Sequence, residues 1–177
     1  MAVSIFPHDV LFWAQPVDKG DGERMIAAAN GLARSGWRPL LAWGGAEPVQ
    51  DLDPHVTLAP LPPSCPLAGG AIAGDESGNP ADPAWKKRRT AALLALFAQT
   101  RPRLLLLEGF PYSHAGYRYE LRPLMEMAHR RQPAPALYTL GGGDVTADTR
   151  LADLLTGRAA SLDDLPPAPV PYGSGET

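Results

Sequence analysis

Short, nearly unbroken apolar blocks alternate along this chain with longer stretches in which apolar residues recur every three or four positions. The first pattern is that of strands buried on both faces, and the second is that of amphipathic helices. Blocks at residues 10–15, 38–43, 56–61, 104–107 and 136–140 predict five strands. Between them, residues 24–35 have helical composition closed by Gly36, where a left-handed residue ends a last turn. Residues 84–100 predict a second helix, with Trp85, Ala92, Leu93, Leu96 and Phe97 sharing one apolar face. A third follows the fourth strand, from the spacing of Tyr117, Leu121, Leu124, Met125 and Ala128, and Pro133 and Pro135 stop it. The order strand, helix, strand predicts an α/β chain: a Rossmann-like, doubly wound, mostly parallel sheet of about five strands, with right-handed crossovers.

The polar segments lie between these elements. Residues 16–23 read as a turn carrying Gly20 and Gly22, and residues 62–83 as a long loop rich in Pro, Gly, Ala, Ser and Asp. Loops of that length inside a domain are usually functional or mobile. A short helix is expected over residues 149–155. Residues 158–177, dominated by Pro, Ala, Gly, Asp and Ser, read as a linker or tail after a domain spanning residues 1–157.

Ligands of open parallel sheets bind outside the carboxyl ends of the strands. The fourth strand delivers Glu108 to that edge, and the loop after it carries Phe110, Tyr112 and His114. A carboxylate and a histidine at one crevice can orient hydroxyls or accept a proton. The alternative is that Glu108 caps backbone N–H groups of the following turn while the aromatics pack inward. Arg118 and Glu120 open the next helix and are expected to form ion pairs that support the scaffold. At the first strand's end, Gly20 and Asp21 sit in the segment DKGDGER, either a ligand-contacting loop or a turn with N-capping acids. The fifth strand ends in Gly141-Gly142-Gly143-Asp144, which is either a place of close backbone approach or a flexible connection.

Charge and composition narrow the chemistry. With 16 Lys+Arg against 19 Asp+Glu, the formal net charge of −3 disfavours a nucleic-acid surface. The run Lys86 to Arg89 reads as a solvated helix face. One cysteine, Cys65, rules out an intrachain disulfide, and four histidines lack metal-ligand spacing, so no metal or cofactor is expected. No signal peptide and no transmembrane segment are evident, which makes a cytoplasmic protein the default expectation.

The pattern L-x-E-x-F-P-[FY], followed by R-[FY]-E-L-x-P-L-x-E, runs through Leu106, Glu108, Phe110, Pro111 and Tyr112, then Arg118, Tyr119, Glu120, Leu121, Pro123, Leu124 and Glu126. It resembles a family of predicted bacterial GT-B glycosyltransferases, and the likeness extends over residues 8–145. The resemblance implies the acceptor-side half of an enzyme that moves a sugar from a nucleotide-sugar to an acceptor hydroxyl without metal. It implies Asp21, near the place of the family's histidine, or Glu108 as the base. Gly20, Phe110, Tyr112, His114 and Asp144 would line the acceptor crevice, Asp144 matching one member of an Arg-Asp pair. The donor-binding domain would be a separate partner. The alternative expectation is a non-catalytic module that pairs with another domain or with itself.

Overall fold

The computed structural model describes residues 8–17, 19–109 and 114–140. Five strands form one sheet: β1 (Val10–Ala14), β2 (Pro39–Trp43), β3 (Thr57–Pro60), β4 (Leu104–Glu108) and β5 (Ala136–Leu140). Their order is β3-β2-β1-β4-β5, and every pairing is parallel. The sheet is thus Rossmann-like and entirely parallel. β1, β2 and β4 are buried along their whole length, as their unbroken apolar sequences require. β3 forms one edge, and only Ala59 of its four residues is buried.

Strand alternation sorts the core into two layers. Val10, Phe12, Ala14, Leu41, Leu104 and Leu106 face helix α1 (Lys19–Arg34) through Met25, Ala29 and Leu32. Leu11, Trp13, Leu40, Ala42, Leu105 and Leu107 face α2 (Pro83–Thr100) and α3 (Arg118–Arg130) through Leu93, Phe97, Leu121, Leu124 and Met125. Helices therefore cover both faces. The start of α2 is set by Asp82, whose carboxylate accepts the Trp85 backbone N–H at 2.7 Å, with Pro83 in the first turn.

Two expectations need correction. Helix α1 begins at Lys19 rather than Arg24, so Gly20, Asp21 and Gly22 belong to its first turn and not to a loop. Gly22 has a packing reason: a Cβ there would meet the Trp43 ring at 2.8 Å and Pro16 at 3.2 Å, so the helix can lie against β2 only without a side chain. The segment between β3 and α2 is also more ordered than its composition suggests. It holds a 3-10 turn (Ala68–Gly70) and two antiparallel bridges, Leu67 to Ile72 and Gly74 to Pro80. Its backbone packs at Ala71 and Ala73 against Gly116, at the carboxyl edge of the sheet.

Among the described residues no helix is long and apolar enough to cross a membrane. The Gly141–Asp144 turn, the helix expected over residues 149–155 and the tail lie outside the described residues, as do Phe110 and Tyr112.

Candidate functional site

The chain leaves β1 toward β2 on one side and reaches β4 on the other only after crossing the sheet through α2. The gap between the carboxyl ends of β1 and β4 is the topological switch point, where open α/β sheets bind ligands. Gln15, the first residue after β1, stands there beside Glu108, the last residue of β4.

The Gln15 backbone joins two of the sequence-predicted site residues. Its N–H donates to Glu108 Oε2 at 2.7 Å, and its carbonyl lies 2.6 Å from His114 Nε2. A carbonyl oxygen can only accept, so His114 carries its proton on Nε2. Glu108 is 3 % exposed and His114 fully buried, its ring set edge-on to Trp13 at 5.6 Å. Glu108 thus holds the backbone of a neighbouring strand's exit, while the Phe110-Pro111 turn of the capping alternative lies outside the described residues.

Beneath this edge lies a polar network that the sequence alone does not assemble. Arg89, expected on a solvated helix face, is 0 % exposed. Its Nε donates to both carboxylate oxygens of Glu120, at 2.9 and 3.1 Å. Its Nη2 donates to Gln15 Oε1 at 2.8 Å, and its Nη1 to the carbonyls of Pro62 at 3.0 Å and Gly44 at 3.4 Å. The Trp13 indole N–H completes the Glu120 carboxylate at 2.9 Å. A guanidinium offers five donors in a fixed plane, and here the network reaches four separate chain segments. The rings of Trp85 and Tyr117 flank it, at 5.6 and 5.3 Å from its central carbon.

Gly44 makes this geometry possible, because a Cβ there would collide with Arg89 Nη2 and Gln15 Oε1. Ser64 ties in the long loop. Its hydroxyl donates to the Gly74 carbonyl at 2.5 Å, so the Tyr117 hydroxyl, 2.7 Å away, is the donor to Ser64 Oγ. Burial pushes the Tyr117 phenol up to about 12, because a buried phenolate would lose its hydration. Burial likewise pushes the Glu120 carboxyl up, against the pull of Arg89 and the Trp13 N–H.

The structure places the expected residues unequally. Glu108 and His114 meet at Gln15; Glu120 serves as an ion-pair partner, with Arg89. Gly20 and Asp21 lie in the first turn of α1, which leads away from the carboxyl end of β1. Phe110, Tyr112 and Asp144 are outside the described residues. The sequence does carry a signal for the missed network: Arg89 falls in phase with the buried stripe Trp85, Leu93 and Phe97, and Glu120 with Tyr117, Leu121 and Leu124. A lone charge of opposite sign on each of two buried helical stripes marks an ion pair between them.

Among the described residues no three His, Cys, Asp or Glu side chains gather as a metal would require. Comparison of the chain with protein-family models and with curated protein sequences gave no match.

Proposed function

We propose that the chain is the acceptor-side half of a GT-B-type glycosyltransferase, working with a donor-binding domain that supplies the nucleotide-sugar. The observation that carries this reading is the switch point: a five-stranded parallel sheet that brings Glu108, His114 and the Gln15 backbone together at the carboxyl ends of β1 and β4. The sequence motif through Glu108, Arg118 and Glu120 supports it independently.

Within this reading Glu108 and His114 divide the work differently from the simplest expectation. Both are buried and both hold the Gln15 backbone, so they set the shape of the crevice floor. The proton acceptor for the incoming hydroxyl is then Asp21, on the first turn of α1, the helix that packs on the Glu108 side of the sheet by strand alternation. The role of base asks for a carboxylate in its ionised form. Gly20, Phe110, Tyr112 and Asp144 would complete the acceptor crevice, and no metal or cofactor takes part.

The same burial favours a second reading, a non-catalytic module that docks a separate domain or a second copy at this edge. Calorimetric titration with nucleotide-sugars, joined to NMR titration with mono- and disaccharide acceptors, separates the two. The acceptor-half reading expects no micromolar binding of nucleotide-sugars to the chain alone. It also expects weak sugar binding that moves the Gln15 and His114 signals and is lost in Asp21→Asn. Micromolar nucleotide-sugar binding would overturn it, and absence of any sugar response would leave the docking module.

A further inference from the structure

At the opposite end of the sheet, the last turns of α2 and α3 enclose an open groove lined by Phe97, Ala98, Arg101, Met127, Arg130 and Arg131. We propose that this groove is a binding site for a phosphate-bearing small molecule, distinct from the carboxyl edge. Three guanidiniums border it, and among the described residues none forms an ion pair and no carboxylate lines the groove.

Part of that charge has a local explanation. Both helices end here, and a helix C-terminus carries about half a negative charge. Two termini therefore offset roughly one positive charge of three, leaving about two without a counter-charge. The chain as a whole is acidic, at −3, so the concentration of arginine at this one place runs against its composition.

Arg131 shows that the arrangement is built rather than loose. Its guanidinium stacks on the Phe97 ring at 5.4 Å from the centroid. It donates from Nε to the Pro133 carbonyl at 3.2 Å and from Nη2 to the Pro102 carbonyl. These contacts fix its plane, yet among the described residues the buried Nη1 finds no acceptor. A buried donor without a partner costs about 1–3 kcal/mol. Burial and the neighbouring Arg101 both depress the Arg131 guanidinium, which is the electrostatic mark of a cation in want of an anion.

A phosphate oxyanion suits all of these features. Its oxygens match the guanidinium fork, and its two charges at neutral pH equal the surplus. Phe97, Ala98 and Met127, the last 37 % exposed, give an organic ester an apolar floor. Recognition rests on the phosphoryl group, so a small phosphomonoester is expected, not a membrane surface.

The test uses the whole chain titrated with inorganic phosphate and with phenyl phosphate, against chloride at matched ionic strength. Followed by NMR, saturable shifts are expected at Ala98, Arg101 and Arg130, with phenyl phosphate tighter than phosphate. In the exposed double variant Arg101→Gln/Arg130→Gln, affinity should fall at least about tenfold with the fold intact by circular dichroism. Arg131→Lys keeps the charge but loses the fork, and should also weaken binding. Shifts equal to those in chloride would overturn the proposal. So would unchanged affinity in the double variant, or binding to anionic vesicles without saturable binding of either phosphate. Failure here leaves the carboxyl-edge function untouched, because the two sites share no residue.

Discussion

Two arginines, Arg89 and Arg131, sit in nearly the same kind of seat with opposite outcomes. Each leaves a helix of the same layer and stacks on aromatic rings, Trp85 and Tyr117 for Arg89 and Phe97 for Arg131. Each donates to two backbone carbonyls. The difference is one carboxylate. Glu120 neutralises Arg89 inside the protein, so that guanidinium can be withdrawn from water altogether. Arg131 has no such partner among the described residues and stays half-buried beside two more arginines. The comparison teaches that burial alone does not assign a buried cation its role. A satisfied one is structure, whereas an unsatisfied one at a groove is a place for something else.

The largest expected effect breaks the satisfied side. Glu120→Gln leaves Arg89 as an uncompensated buried charge and should cost about 3–5 kcal/mol in urea denaturation. Replacing both, as Arg89→Met with Glu120→Leu, should recover much of that loss, since the cost lies in the stranded charge. A loss below about 1 kcal/mol for the single variant would mean that the pair is not holding the helices together.

Alkaline pH attacks the same network from another side. The Tyr117 phenol stands at about 12 in the folded chain against 10.0 in the unfolded one. Its contribution is therefore complete below pH 10 and disappears as pH rises toward 12, on the order of 2–3 kcal/mol. Tyr117→Phe cannot lose it, so the stability gap between wild type and variant should close across that range. A gap that stays constant would place the proton elsewhere. Tyr119, also pushed up by burial, titrates in the same direction and steepens the wild-type curve.

Gly44→Ala sharpens the comparison without removing any polar group. Its methyl collides with Arg89 and Gln15, and displacing them should cost about 1–3 kcal/mol. The Gln15 backbone signals should move with it, reporting coupling between the network and the switch point. The smallest effect belongs to the unsatisfied side: Arg130→Gln should change stability by no more than about 0.5 kcal/mol in the absence of phosphate. A larger loss would show that Arg130 has a structural partner after all.

Much of the fold is legible in the amino-acid pattern alone. The block of four leucines predicts β4, the apolar run after Pro135 predicts β5 to the residue, and the periodicity of Tyr117 to Ala128 identifies five residues that are all buried. Local patterning suffices there because each segment's period is set by its own backbone geometry. The start of α1 escapes such patterning because Lys19 to Glu23 has the glycines and acids of a turn. Packing of Gly22 on Trp43 supplies what propensity does not.

The candidate site is legible only as a location. Glu108 and His114 can be placed at the right edge because strands of a parallel sheet end together. Nothing local says that both would bind the backbone of Gln15, 93 and 99 residues away. Arg89 is the sharper case. Inside the run Lys86 to Arg89 it looks like surface, and its burial depends on Glu120, 31 residues on.

By itself, then, the sequence determined the element types, the class of fold and the end of the sheet where chemistry can gather. Those follow from side-chain periodicity and from the rules of parallel connection, which act over short spans of chain. Only the tertiary structure decided which charges are spent on the scaffold and which are left over. Desolvation and pairing depend on partners brought together from distant segments, and a charge has no fixed role until its neighbours in space are known.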